Sequence, residues 1–172
     1  MRSPKSNKGF SLIELIIVVT VIGVVAAIAV PNLLSSRRAA NEASALGAVR
    51  IIATGEVTYR ATAGGGNYGS FGQLAALNLV DPRVGGATIA GPGTPKSGFL
   101  FSAENIAGLG LPAFDVKAQA FLHTDDDILF GTGSRSFYVN ESGIIYFNTT
   151  PAAPTCSADD LRGVADGTVL NN

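Results

Sequence analysis

Residues 10–30 read FSLIELIIVVTVIGVVAAIAV, an apolar run interrupted by one charged side chain, Glu14. An α-helix rises about 1.5 Å per residue, so a helical run of this size is about 30 Å long. That length matches the hydrocarbon core of a lipid bilayer. The preceding residues 1–9, MRSPKSNKG, carry three basic side chains and no acidic one. The stretch therefore predicts a single membrane-spanning helix whose basic amino-terminal flank stays in the cytoplasm.

The carboxylate of Glu14 separates this stretch from an ordinary secretory signal peptide. A basic start, an apolar run and small residues at Ala26, Ala27 and Ala29 also fit a signal peptide that is removed on export. However, a carboxylate inside a membrane segment costs on the order of 2.5–3.5 kcal/mol, and a signal peptide has no use for it. We therefore expect Glu14 to have a functional partner. The simpler alternative is an acid that reaches back to the membrane edge.

The residues around this carboxylate form a known motif. Residues 8–15, KGFSLIEL, resemble the processing site of bacterial type IV prepilins and of the related type II secretion pseudopilins. The shared features are a short basic leader, a glycine, a phenylalanine and a glutamate at the fifth position after the cut. The resemblance implies that a prepilin peptidase cleaves between Gly9 and Phe10 and then methylates the new amino terminus on Phe10.

The chemistry of this motif explains its spacing. Gly9 has no side chain, so a protease can approach the backbone closely. Cleavage places a cationic amine on Phe10, and Glu14 follows four residues later, on the same face of a helix. A cation and a carboxylate in an apolar setting need each other as partners. The amine can be matched by its own Glu14 or by that of a neighbouring subunit, and the resemblance implies the second arrangement, which sets the register of assembly.

The helical pattern continues beyond the apolar run and predicts a helix from residue 10 to about residue 61. Gly64, Gly65 and Gly66 then end it. Glu42 and Glu56 are expected on the solvated side of this helix. The predicted buried stripe has spacings of three and four and consists of Ala39, Ala43, Leu46, Val49, Ala53 and Val57.

Two residues are expected to interrupt the long helix. Pro31 removes one backbone donor and clashes with the preceding turn, which predicts a kink or local melting. Gly23 weakens a helix by about 1 kcal/mol relative to alanine. Both resemble helix-breaking positions of type IV pilins, which implies loss of helical order between them in an assembled filament. Alternatively, Pro31 only marks the exit from the membrane.

The remaining half of the chain has the pattern of a small antiparallel sheet. A short helix is expected after an amino cap at Ser70, followed by a loop over residues 81–98. The candidate strands are residues 98–102, 114–123, 136–140 and 144–148, the last two joined as a hairpin. The predicted fold class is therefore α+β, with a long amino-terminal helix packed on a small antiparallel sheet, and it resembles the pilin fold.

Together these patterns divide the chain into four segments. They are a leader (1–9), the membrane or filament-core half of the helix (10–30), its amphipathic half (31–63) and a globular head (64–172). With 172 residues, the chain has room for one globular domain.

The amino-acid composition argues against several classes of function. The 12 basic and 13 acidic residues nearly cancel, so no specific nucleic-acid partner is predicted. One cysteine, Cys156, excludes an intrachain disulfide, and no nucleophile–base pair or paired carboxylates indicate an enzyme. No cofactor is expected. Weak candidates for calcium ligands are Asp125, Asp126 and Asp127, for which a solvated turn between strands is the simpler interpretation.

The leading hypothesis is a structural subunit of an extracellular type IV pilus, with the filament's roles in adhesion, motility and DNA uptake. Its partners would be further copies of itself, prepilin peptidase, the assembly machinery of the inner membrane and, before assembly, the membrane. The alternative is a major pseudopilin of a type II secretion system, which forms a periplasmic pseudopilus in protein secretion. A membrane-tethered binding module that never polymerises is a third hypothesis.

Overall fold

The computed structural model of this chain describes residues 9–86, 95–106, 112–121, 131–150, 153–155, 164 and 166–170. Helices α1, α2 and α3 cover Leu12–Thr62, Phe71–Ala76 and Pro82–Gly86. Strands β1 to β5 cover Phe99–Ile106, Ala113–Ala120, Ser136–Asn140, Ile145–Asn148 and Thr168–Val169. The chain forms two compact units, residues 1–36 and 37–172, and α1 contributes residues to each.

The five described strands form one antiparallel sheet in which neighbours along the chain are neighbours in space. The longest pairing joins β1 and β2 over eight residues, from Phe99 opposite Ala120 to Ile106 opposite Ala113. The hairpin of β3 and β4 turns at Gly143, whose φ of 73° lies in the left-handed region that glycine tolerates. The predicted hairpin and the α+β class, a long amino-terminal helix with a small antiparallel sheet, are confirmed.

The core of the second unit lies between α1 and one face of the sheet. Val49 and Ile52 of α1 are fully buried there. Strand residues of the same face alternate with more exposed ones, so that Val116 and Ala118 are buried while Lys117 between them is partly exposed. This period of two is what a half-buried strand requires. The largest apolar side chains of this core are Phe99, Phe101, Phe114 and Phe137.

The predicted buried stripe of α1 is wrong in its register. Ala39, Ala43 and Val57 are exposed, and Val49 alone among the predicted residues is fully buried. The helix instead buries a face that includes two glutamates expected in solvent and consists of Glu42, Ala45, Ala48, Val49, Ile52, Gly55 and Glu56. Both buried glutamates accept backbone hydrogen bonds from outside the helix. The donor to Glu42 is Ser134, 92 residues away, and the donor to Glu56 is Gly69, 13 residues away.

Smaller corrections concern element boundaries. Strand β1 extends to Ile106, four residues past its predicted end, and β2 ends at Ala120. The segment predicted as a loop from residue 81 contains α3, which begins at Pro82, a residue suited to the first turn of a helix. Strand β5 was not predicted, because two residues are too few to show a period.

Candidate processing and assembly segment

The predicted cleavage position lies in exposed, non-helical chain. Gly9 and Phe10 precede α1 and are exposed. A Cβ atom placed on Gly9 would meet no heavy atom within 4 Å. No described part of the chain therefore packs against Gly9 at the predicted cleavage position. Residues 1–8 of the predicted leader lie outside the described residues.

Glu14 lies in the first turn of α1 and contributes to capping it. The backbone N–H of Ser11 donates a hydrogen bond to Oε2 of Glu14 at 3.4 Å. The carbonyl of Ser11 accepts the N–H of Leu15 at 3.2 Å, as expected of a residue that precedes the first helical position. The sequence signal for this arrangement is S-x-x-E, the pattern of a capping box, which the sequence analysis missed. The carboxylate is thereby held at the amino end of the helix, four residues from Phe10.

The apolar run is helical and its side chains are exposed. The chain has one helix, α1, that is long and apolar enough to cross a membrane among the described residues. From Leu12 to Val30 this helix is about 28 Å long, close to the thickness of a bilayer core. In the helical part of the run, Leu12 to Val30, the hydroxyl of Thr20 donates to the carbonyl oxygen of Ile16 at 2.8 Å. This hydroxyl is therefore satisfied within the helix, as a lipid environment requires.

The helix is continuous through both predicted break positions. Gly23 and Pro31 lie inside α1, so the local melting expected at Pro31 does not occur in the single chain. A Cβ atom on Gly23 would meet nothing within 4 Å, so packing within this chain does not require glycine there. Loss of helical order in an assembled filament stays a prediction.

In the second unit, α1 holds the segment 131–135 through three successive polar contacts. Arg38 Nε donates to the Gly131 carbonyl at 3.2 Å, and Asn41 Nδ2 donates to the Thr132 carbonyl at 2.9 Å. Glu42 is 5% exposed and completes the set by accepting hydrogen bonds from residues 134 and 135. The amphipathic half of the helix therefore orders a loop of the head that lies more than 90 residues away in sequence.

The contacts of Glu42 favour its ionised form. We call this link between α1 and the segment 131–135 the brace. The backbone N–H and the hydroxyl of Ser134 each lie 2.7 Å from Oε1, and Arg135 Nε lies 2.8 Å from Oε2. Burial alone would raise the pKa of Glu42, but the hydrogen bonds from Ser134 and the guanidinium of Arg135 outweigh it and lower the pKa below 4.5. The same guanidinium lies 5.8 Å from the ring centre of Phe137 and 5.5 Å from that of Phe147.

A second buried carboxylate, Glu56, contacts the loop of residues 63–70 that joins α1 to α2. Its Oε2 accepts the N–H of Gly69 at 2.8 Å, and its side chain is fully buried. Burial raises the pKa of Glu56 to about 7, because the single backbone hydrogen bond only partly offsets the loss of hydration. The prediction that Glu56 lies in solvent is therefore wrong, and a lone acid on a mixed helix face gives no signal for its burial.

The structure describes only some of the other candidate site residues. The calcium candidates Asp125, Asp126 and Asp127 and the single cysteine, Cys156, lie outside the described residues. Residues 140–142, Asn-Glu-Ser, match the N-glycosylation pattern. Asn140 is 2% exposed, and its side-chain oxygen accepts hydrogen bonds from the backbone and hydroxyl of Ser142. A side chain buried in this way is a poor glycan acceptor.

Comparison with known proteins agrees with the geometry of the amino terminus. A family profile described as the prokaryotic N-terminal methylation motif matches residues 4–30. The amino terminus of this chain is therefore a type IV pilin signal with its methylation motif, and the described residues have the α+β architecture of pilins.

This chain is also similar in sequence to a known pilus protein over a short stretch. The type IV wide pilus major component PilA4 of Thermus thermophilus is 50% identical to this chain over 38 residues. The alignment covers 22% of this chain and 29% of that protein. No solved structure matches the chain with significance.

Proposed function

We propose that this chain is a structural subunit of an extracellular type IV pilus, cleaved between Gly9 and Phe10 and polymerised through its amino-terminal helix. The observation that carries the proposal is the placement of Glu14. It is the one charged residue in residues 10–30, and its carboxylate lies at the helix start, one turn after the predicted cut. The name of the Thermus relative supports the same function for this chain.

Before cleavage, the precursor is a single-pass protein of the inner membrane. The basic leader retains the amino terminus in the cytoplasm, and α1 spans the bilayer. Prepilin peptidase then removes residues 1–9 and methylates the amine of Phe10. Because the leader's charges leave with it, the apolar helix can move from the membrane into a filament core without dragging three cations through hydrocarbon.

After cleavage, charge pairing directs assembly. The described hydrogen bond from Ser11 to Glu14 is long, at 3.4 Å, and uses one of the two carboxylate oxygens. A cationic amine is a stronger partner than a neutral amide, so the amine of a neighbouring subunit can replace this contact. Each added subunit then pairs a charge that was unpaired in the apolar core. The head of each subunit is a structural element of the filament surface rather than an enzyme.

The experiment replaces Glu14 in the cell that makes the protein. Glu14→Gln leaves the amine of Phe10 unpaired in an apolar setting, at a cost of about 3 kcal/mol. That cost corresponds to about a hundredfold weaker association. Filaments are sheared from the cell surface and the chain is quantified by immunoblot, while mass spectrometry of the whole-cell pool reports cleavage.

The matched control is Glu104→Gln, which removes the same charge from an exposed position on β1. We expect the control to retain filaments and the Glu14 variant to lose them while still being cleaved. Filaments of the Glu14 variant at the level of the control would contradict the proposal. Cleaved wild-type chain found in the envelope and absent from the surface fraction would favour the pseudopilin of a secretion system instead.

A further inference from the structure

Glu56 is a buried carboxylate whose surroundings disfavour its ionised form. The side chain is fully buried on α1. Its Oε2 accepts one hydrogen bond, from the N–H of Gly69 at 2.8 Å, and its Oε1 is buried without a hydrogen-bond partner among the described residues. An ionised carboxylate has about four acceptor positions, so this environment leaves most of them unmet. A buried acceptor without a partner costs about 1–3 kcal/mol.

The charged and titratable groups described around Glu56 do not stabilise its ionised carboxylate. The closest cation on its own helix is Arg60, and the guanidinium of Arg60 is directed to the loop, with Nε donating to the Gly66 carbonyl and Nη1 donating to the Tyr68 hydroxyl. The sheet offers two acids: Glu104 is exposed, and Asp115 accepts a hydrogen bond from the hydroxyl of Tyr138. Within the described part of the chain, no cation forms an ion pair with Glu56.

The 63–70 loop closes over the end of α1 through a small number of contacts. Gly69 lies against the ring of Tyr59, so close that a Cβ atom there would be 3.0 Å from the ring. Tyr68 packs edge-on to Phe114 at 4.7 Å, and its carbonyl accepts a hydrogen bond from the Asn105 amide at 2.9 Å. Opening the loop at Gly69 would bring water to the carboxylate of Glu56.

Gly65 and Gly66, at the centre of the loop, have φ values of 57° and 93°. Glycine adopts such values without strain and moves readily between them and other conformations. The two glycines can therefore change φ without strain when the loop opens. In the closed loop the N–H of Gly66 donates to the Arg60 carbonyl at 3.2 Å, the Arg60 side chain contacts Gly66 and Tyr68, and Glu56 contacts Gly69.

We propose that Glu56 is a proton-controlled clasp, whose neutral form holds the 63–70 loop on α1 and whose ionised form favours release of that loop. The clasp lies in the second unit, between α1 and the loop that follows it, and is independent of the amino-terminal processing motif. It makes the surface formed by residues 63–70 sensitive to the acidity of the medium.

The direction of the effect follows from linkage between proton binding and loop opening. In the open loop the carboxyl is hydrated and has its ordinary pKa of 4.5, whereas in the closed loop burial raises the pKa to about 7. The closed loop therefore binds the proton more tightly. Opening becomes about tenfold more favourable for each pH unit between pH 4.5 and 7, and the effect levels off above pH 7.

The experiment measures hydrogen–deuterium exchange of the full chain in detergent micelles at pH 5, 6, 7 and 8, corrected for the intrinsic exchange rate. In the wild type, we expect the protection of peptides covering residues 63–70 to fall about tenfold per pH unit up to pH 7. Glu56→Gln should abolish this dependence, because the amide does not titrate. Glu42→Gln is the matched control, since that buried glutamate contacts residues 134 and 135 and should leave the dependence unchanged.

Flat protection in the wild type, or the same slope in Glu56→Gln, would overturn the clasp. If Glu56→Gln does not fold, carbon-13 titration of the glutamate carboxyls in the wild type and in Glu14→Gln gives an independent test. A carboxyl that titrates near pH 7 in both proteins supports the clasp. The absence of any glutamate carboxyl titrating above pH 6 in Glu14→Gln overturns it.

Discussion

Replacing Glu42 by alanine removes the brace between α1 and the segment 131–135. Three donors lose their charged acceptor: the N–H and the hydroxyl of Ser134, and Nε of Arg135. A hydrogen bond to a charged group contributes about 1.5–3 kcal/mol when its loss leaves a buried donor unmet. However, Ser134 is exposed and the Arg135 side chain is 39% exposed, so water replaces much of what is lost. We therefore expect a loss of about 2 kcal/mol of unfolding free energy.

The assay is thermal unfolding of the full chain in micelles at pH 7, followed by circular dichroism. A loss of about 2 kcal/mol lowers Tm by about 4–8 °C in a protein of this size. The control is Glu104→Ala, which truncates an exposed glutamate on β1 and should cost less than about 0.5 kcal/mol. The brace would be refuted if Glu42→Ala were no less stable than Glu104→Ala.

The contribution of Glu42 also has a defined pH dependence. Its folded-state pKa is lowered below the ordinary value of 4.5, so the ionised form stabilises the folded chain. The contribution is fully present above pH 4.5 and is lost as the pH falls through the lowered pKa. The difference in Tm between wild type and Glu42→Ala should therefore shrink on acidification below pH 4.5, and a constant difference down to pH 3 would contradict the assignment.

Further predictions concern the second unit, residues 37–172. Gly69→Ala should destabilise it by about 1–3 kcal/mol, because the new methyl group would lie 3.0 Å from the ring of Tyr59. In the same thermal assay Gly72→Ala should be neutral or stabilising, since its Cβ meets only one atom, at 4.0 Å, and alanine favours a helix. Phe101→Ala removes a ring that is 1% exposed and should cost about 3–5 kcal/mol in urea unfolding, whereas a cost below 1 kcal/mol would show that the core has been assigned wrongly. Glu56→Gln should gain in Tm relative to wild type as the pH rises from 5 to 7, because only the wild type must ionise a buried acid.

Features carried by local sequence were predictable. The apolar run determines the first half of α1. The hairpin of β3 and β4 follows from two strand-like stretches around Gly143, and Ser70 occupies its predicted place before α2, where its N–H donates to the side chain of Gln73. These features depend on residues within a few positions of each other.

Features that depend on distant partners were not predictable. A pattern of polar and apolar residues assigns a glutamate to solvent, yet Glu42 and Glu56 are buried because backbone groups of Ser134 and Gly69 donate to them. The buried face of α1 therefore has a different register from the expected stripe and includes these two acids. In the amino-terminal motif, Glu14 was identified, whereas the role of Ser11 in capping the helix became apparent only from the geometry.

Intact-mass spectrometry of filaments sheared from the native cell surface tests the central proposal most directly. We expect this chain to be abundant there, to lack residues 1–9, to begin at Phe10 and to carry one additional methyl group. A chain that retains residues 1–9, or one that begins near Ala29 as after removal of a signal peptide, would contradict it.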